Sequence, residues 1–506
     1  MTAAAPARHI TPPSERVSLR TKIAFGLGTS AESIVAAVIS LSALYFYNNI
    51  LKMPGTLTGL ALMLSLVLDG IADPLVGSIS DRTKGKLGRR HIYMYVAPLF
   101  SCTALALIFN PPDFLKELGA DGKLVHQMEL FAWLTCFIIV MRVSMAFFHV
   151  PHLAMGGELS RDYVERSRVM AFSSWFGWFG GAPMRFLALT FFFAATPLYP
   201  YGLANPAAHG PFAITAACIG FLCLMISTHF TRDQIPRLPQ APANLPKFSP
   251  FEFFKDMGYA FRNKNYVWLL IAYFFLSMTT GVRAGLDIYV NTHFWRLTSE
   301  ELSKFIIGSF IGFIFAFLLA PRLHNLFDKK ATIIVCAISY AVVPALPVTL
   351  HLLGLFPGHE DPMLLTWLIS FAVFGYGLTA ILTISVMSAL ADIADENELR
   401  FGVRQEGVLY ATRTFFGKVD QAIGTFVVGV VLDLIPYPRG VKDPSEVPQE
   451  ALETLAIVDS PVGAIPALIA VYFYSRFSIT RHSYAKTRAD LEAVRGERAA
   501  EPAAGA

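Results

Sequence analysis

Asp69 and Asp73 stand one helical turn apart in a long apolar stretch, each flanked by Leu, Ile, Val or Gly. Their carboxyls therefore leave the same face of a helix. An acid near mid-bilayer costs at least a few kcal/mol, and two acids sharing a site also repel. A monovalent cation between them, or a proton on one of them, relieves both penalties. Loading such an ion also neutralises the segment that carries the acids. The expected chemistry is thus binding of Na⁺, Li⁺ or H⁺ by Asp69 and Asp73, with no covalent step. If the acids serve structure alone, they need basic partners, and the intramembrane candidates are Lys418, Arg142, Arg185, Arg283 and Arg413. Lys418, deep in its apolar run, serves both readings. It would pair with the acids in the ion-free state and yield when a cation arrives.

Residues of this kind have to be positioned by helices that cross a bilayer. With 54% hydrophobic and 15% charged residues and a mean hydropathy of +0.50, the chain has too little polar surface for a soluble globule. Apolar runs between residues 23 and 478 predict twelve transmembrane helices, since a crossing needs about 20 apolar residues. Most of the 41 Lys and Arg residues fall on alternate loops and on both ends, which predicts cytoplasmic termini. The net charge of +4 follows from that bias, and no basic patch interleaved with aromatics points to nucleic acid. Cys102, Cys136, Cys218, Cys223 and Cys336 lie inside apolar runs without metal-ligand spacing, so neither a disulfide framework nor a zinc site is expected. The polar first 22 residues lack the apolar core of a cleavable signal.

The Pro-rich, charged segment from Thr231 to Asn265 separates six helices from six. The predicted organisation is a cytoplasmic tail at 1–22, a six-helix bundle at 23–230, a cytoplasmic linker at 231–265 with an interfacial helix at 251–261, a second bundle at 266–480 and a tail at 481–506. Glu158-Leu159, Ala171 and Phe176-Gly177 recur 240 residues later as Glu398-Leu399, Ala411 and Phe416-Gly417. The fold class expected is all-α integral membrane, two parallel six-helix repeats of the kind found in major-facilitator transporters.

Two charged loops are candidate cytoplasmic gates, the alternative being that they only set topology or are solvated turns. The first, Gly77 to Arg90, resembles the major-facilitator signature loop, with Asp81 and Arg82 expected in interhelical ion pairs. Glu158, Arg166 and Arg168 follow helix four. The second loop runs from Asp392 to Glu406 and holds the counterparts Asp395, Glu398 and Arg404.

Leu68-Asp69-Gly-Ile-Ala-Asp73-Pro74-Leu-Val-Gly77 resembles helix two of the glycoside-pentoside-hexuronide:cation symporters, the melibiose-permease-like family of the major facilitator superfamily. The likeness continues through Tyr45-Phe46-Tyr47, Val150-Pro151, Glu158-Leu159, Glu165-Arg166-Ser-Arg168 and Asp392 to Lys418. It implies that Asp69 and Asp73 bind the coupling cation and that Lys418 lies beside them. The family's sugar ligands are absent: its helix-one acid falls on Ser33, with Glu32 adjacent, its helix-four acid and tryptophan fall on Val143 and Phe147, and its helix-five arginine falls near Ser174. Replacing buried donors and acceptors by apolar groups changes selectivity strongly. The remaining candidates for the substrate cavity are Glu32, Ser33, Arg142, Phe147, His149, Ser174, Trp175, Arg283 and Asp287. Arg283 and Asp287 are also spaced for an intrahelical salt bridge, and His149 and His152 for helix-end packing.

The sequence thus predicts a multi-pass inner-membrane secondary transporter, coupling a small glycoside-like or other organic solute to Na⁺, Li⁺ or H⁺ by alternating access. Its partners would be solute, cation and lipid, with no cofactor and no obligate protein partner. Two alternatives stay open: a carrier of an amphipathic solute such as a lysolipid or hydrophobic glycoside, and a sensor that transports nothing. A membrane-embedded enzyme would need a clustered nucleophile, paired histidines or metal ligands at membrane depth, and none is evident.

Overall fold

A computed structural model describes residues 12, 15–239, 255, 257–402, 406–435 and 437–500 of the protein. Among them every long element is a helix. In lipid each backbone N–H and C=O has to be satisfied within its own segment, which long apolar helices achieve. In chain order these are α1 (Leu19–Ile50), α2 (Gly55–Arg82), α3 (His91–Ile108), α4 (Gln127–Glu158), α5 (Tyr163–Leu187), α6 (Pro206–Phe230), α7 (Lys264–Phe294), α8 (Ser299–Phe327), α9 (Lys329–Leu352), α10 (Leu364–Phe401), α11 (Glu406–Leu434) and α12 (Gln449–Arg476), followed by α13 (Arg481–Ala500). Eleven of the first twelve are long and apolar enough to cross a membrane among the described residues. The exception is α5, whose Ser, Gly and Arg residues dilute its apolar content.

The chain forms two compact units, Met1–Met53 with Leu64–Phe248, and Pro54–Met63 with Ser249–Ala506. The first turns of α2 thus cluster with the second unit, while Asp69 and Asp73 belong to the first.

In the first unit α1 packs against α5 and α6, and α3 packs against α4 and α6. The α1–α5 contact is backbone-close: a Cβ at Gly180 would lie 2.3 Å from the Ser30 carbonyl oxygen. The Ser30 hydroxyl donates to the Phe176 carbonyl at 2.7 Å, tying the same two helices. In the second unit α7 packs against α11 and α12, and α10 against α8 and α9. There a Cβ at Gly424 would meet the Gly281 Cα at 2.9 Å, so α7 and α11 also approach at backbone distance. Small residues at such crossings are what membrane helices use to pack where lipid removes the hydrophobic drive.

Two boundaries differ from expectation. α10 continues to Phe401 instead of stopping near 391, because Ala, Glu and Leu sustain helix without an apolar face, and Gly402 at φ +74° closes it. The charged segment 392–401 is therefore helix and not a turn. Of the interfacial helix expected at 251–261, residues 251–254 and 256 lie outside the described residues, and 255 and 257–260 are helical.

Because the Gly180 crossing leaves no room for a side chain against backbone, Gly180→Val should separate α1 from α5 and cost about 1–3 kcal/mol. A thermal-unfolding midpoint in detergent that falls by several degrees, against little change for Gly220→Ala, where a Cβ meets nothing within 4 Å, checks this.

Candidate functional site

Asp69 sits partly buried on α2, one turn beyond Ser65 and one before Asp73. Arg142 of α4 reaches across to it. The Arg142 Nε donates to the Ser65 hydroxyl at 3.0 Å, and its Nη1 lies 3.9 Å from the Asp69 carboxylate. That distance is an ion pair without a hydrogen bond. The guanidinium thus compensates the charge of Asp69 without occupying a lone pair of its carboxylate. Pro74 lies inside the same helix, and its missing amide proton deprives the Gly70 carbonyl of its usual donor. Asp69, the Gly70 carbonyl and Asp73 thus lie within about one turn of α2. Among the described residues no group of three or more His, Cys, Asp or Glu side chains could hold a metal ion.

Within the first unit Arg142 is a basic partner of Asp69. Lys418 is half-buried on α11 of the second unit. The other candidates of the first unit divide. Glu32 of α1 pairs with His149 of α4, Oε2 to Nδ1 at 2.7 Å, while His152 bonds the Phe25 carbonyl at 2.9 Å and stacks on the Phe25 ring. Ser33 donates to the Thr29 carbonyl on its own helix at 3.2 Å. Ser174 and Trp175 are exposed, with Trp175 against Phe179 at 4.1 Å between ring centroids. Phe147, half-buried, stacks on Tyr93 of α3 and, with Val143, packs against Ala72 and Val76 of α2, next to the acids.

Arg283 does not spend its terminal nitrogens on Asp287, as its i, i+4 spacing suggested. They donate to the Tyr340 and Ala341 carbonyls at 3.0 and 3.3 Å, and the guanidinium lies over the Tyr340 ring. Its charge also bears on Asp459 of α12, whose carboxylate accepts from the Ser460 hydroxyl at 3.0 Å. Asp287 accepts from Asn291 at 2.8 Å. Beside this group, wholly within the second unit, is a pocket of about 260 Å³. Its polar lining comprises Tyr273, Ser277, Thr280, Tyr340, Thr379, Thr383 and Gln421, with no charged side chain among the lining residues.

Both units carry an ion-pair corner at the start of their third helix. In the first, Arg89 Nη2 reaches Glu158 at 2.6 Å and Arg90 Nε reaches its other oxygen at 3.0 Å, while both arginines face Asp81 at 3.4–3.6 Å. The interhelical partners of Asp81 and Glu158 are thus Arg89 and Arg90. Arg82 hydrogen-bonds Ser78 one turn back. In the second unit Lys329 at the start of α9 grips Asp392 of α10 at 2.7 and 2.8 Å. Nearby, Asp395 accepts from Tyr484 of α13 at 2.8 Å. Glu398 also lies on α10, and Arg404 lies outside the described residues. Arg166 hydrogen-bonds through its backbone to Asp162, whereas Arg168 pairs with Glu165 at 3.2 Å.

The sequence profile of a family described as MFS/sugar transport protein matches residues 24–481. The chain belongs to this family. Among its relatives, a putative glycoside/cation symporter of Escherichia coli (strain K12), YagG, is 24% identical over 95% of this chain and 94% of its own. An isoprimeverose transporter of Lactiplantibacillus pentosus is 21% identical over 96% and 92%. The crystal structure of the nucleoside transporter NupG superposes with a TM-score of 0.57 at 14% identity, covering 91% of this chain and 98% of that one. The likeness to glycoside-pentoside-hexuronide:cation symporters read from helix two therefore holds, and the chain is an integral, multi-pass membrane transporter of symporter type.

Several residues escaped sequence reasoning. Arg89, Arg90 and Ser65 were hidden because their value lies in partners far along the chain. Asp420 and Asp459 gave the same signal as Asp69, an acid at or beside an apolar run, and were readable by that rule. Glu165, in the first turn of α5 ahead of the apolar run, receives Lys22 at 2.6 Å and the Val17 amide at 3.0 Å. Burial pushes its carboxyl up, but the bonds from Lys22 and Val17, the Lys22 charge and the Arg168 bond outweigh it and hold it below the ordinary 4.5. A carboxyl depressed by folding contributes stability above its ordinary value, and that contribution is lost as pH falls through the lower, folded value. The unfolding midpoint should therefore decline as pH drops below about 4.5, and Glu165→Gln should flatten that part of the pH profile.

Proposed function

We propose that this transporter is a cation-coupled symporter of a small, uncharged, hydroxylated solute, with Asp69 and Asp73 as the cation site. The observation that carries it is Arg142, held to α2 through Ser65 while its Nη1 stops 3.9 Å from Asp69, short of a hydrogen bond. An arginine that served only to lock α4 onto α2 would close to bonding distance. This one supplies charge compensation at a distance that a competing cation can exploit. A cation entering beside Asp69 and Asp73 replaces part of the compensation that Arg142 gives, so the ion-free and ion-loaded states differ in the charge carried by α2. The role that the family likeness assigns to Lys418 belongs to the same proposal, as a second basic residue of this chemistry.

The solute class rests on the pocket of the second unit. Hydroxyl and amide side chains with no lining charge suit a ligand that offers several hydroxyls, since each buried donor or acceptor needs a partner. The names of the relatives, a glycoside/cation symporter and an isoprimeverose transporter, are compatible with such a ligand. Leu276, Ala284, Leu382 and Val386 also line the pocket, so a solute with an apolar part fits it as well.

Binding of a cation to the folded protein raises its stability by about 2.7 kcal/mol at a hundredfold excess over Kd. NaCl or LiCl, but not choline chloride, should therefore raise the unfolding midpoint of the purified protein, and Asp69→Asn and Asp73→Asn should each abolish the response. A response undiminished in both variants, or a wild type indifferent to both ions, would sink the assignment of these ions to this site. Adding glycosides, free sugars and lysolipids to the same measurement separates the solute classes, with stabilisation by lysolipids alone overturning the pocket argument.

A further inference from the structure

The carboxyl of Asp420, on α11, has no exposed surface, and neither of its oxygens has a hydrogen-bond partner. Other buried or half-buried acids of the second unit are provided for. Asp392 has Lys329, Glu396 has Asn263, Asn265 and Arg400, and Asp433 has the Gly55 and Thr56 amides with Arg439. Asp420 stands apart from all of these.

The elements around it offer little charge. On its own helix Arg413, two turns earlier, is the charged group acting on it. That guanidinium lies over the Tyr273 ring at 4.2 Å, and its Nε is itself buried without a partner. Lys418, two residues before Asp420, leaves the helix on a different side. From α7, Tyr273 approaches Gly417, one turn before Asp420, while Arg283 turns away to the Tyr340 and Ala341 carbonyls. From α12, Tyr474 is buried with its hydroxyl unsatisfied and feels the charge of Arg413. Residues 379–386 of α10 and 54–63 of α2 contain no ionisable side chain.

An unpaired carboxylate in such a place costs several kcal/mol more than the neutral acid. Two residues of the same helix, Gly417 and Gln421, line the hydroxyl-rich pocket, so water admitted there reaches the turn that carries Asp420. We propose that Asp420 is a proton-binding site of the second unit, holding a proton on its carboxyl while enclosed and exchanging it with water through the neighbouring pocket. On release the O–H bond breaks and the proton passes to water, with Arg413 the charge that acts on the carboxylate left behind. On loading the reverse occurs, and no other reactant is needed. This site is separate from Asp69 and Asp73 and does not depend on which cation they take.

Infrared spectroscopy of the full-length protein in lipid tests the idea without a solute. At neutral pH the wild type should show the C=O stretch of a buried carboxylic acid. The band should move on transfer to D₂O and shrink as pH is raised. It should fall to background in Asp420→Asn and persist in Asp69→Asn and Asp73→Asn. Asp420→Glu, which keeps an acid at the position, should retain a band at altered frequency and guards against misfolding of the amide variant. A wild type without the band, a band untouched by Asp420→Asn, or one that neither shifts in D₂O nor responds to pH would overturn the proposal. Loss of the cation response at Asp69 and Asp73 would leave it standing.

Discussion

A charge placed inside a hydrocarbon slab has to be compensated where it stands, because no water is at hand to do it. The acids of this protein's helices can be ordered by how that demand is met. Asp392 is closed into a short pair with Lys329, which fixes α9 against α10. Asp433 takes two backbone amides of α2 and Arg439. Asp69 meets Arg142 at ion-pair distance without a hydrogen bond, and the oxygens of Asp420 have no hydrogen-bond partner. The first two arrangements lock helices together. The Asp69–Arg142 pair is longer, and the Asp420 carboxyl makes no hydrogen bond.

The close crossings of small residues decide which acids end up in which state. Gly180 brings α5 onto the Ser30 backbone, and Gly424 brings α11 onto Gly281. At the second crossing, Gly424 lies one turn beyond Asp420, whose side chain is buried. On the first unit, Phe147 and Val143 wedge against Ala72 and Val76 and set α4 so that Arg142 arrives at Ser65 and Asp69. Phe147, a candidate for the substrate cavity, also packs beside the two acids of α2.

The two units repeat one electrostatic device with different residues. Basic side chains at the head of the third helix, Arg89 and Arg90 in one and Lys329 in the other, hold an acid on the fourth, Glu158 or Asp392. The 240-residue repeat in the sequence aligned Glu158 with Glu398, whereas the electrostatic counterpart is Asp392, six residues earlier. α10 continues as helix through this region, so the acid that meets the base sits about 9 Å away along the axis and on a face turned by about 120° from the aligned one.

The sequence by itself determined the class of this protein: apolar runs of bilayer length, charge confined between them, a doubled six-helix plan and a helix-two motif that sets two acids on one face. Those are properties of composition and of helical period, which act locally and need no knowledge of neighbours. Tertiary structure alone decided that Arg142 meets Asp69, that Arg283 turns to backbone carbonyls, that Arg89 and Arg90 close the signature corner, and that Asp420 is sealed without hydrogen-bond partners. Each of those depends on how near two distant helices come and which face each presents. That is settled by packing between segments far apart in the chain, which no periodicity within one segment encodes.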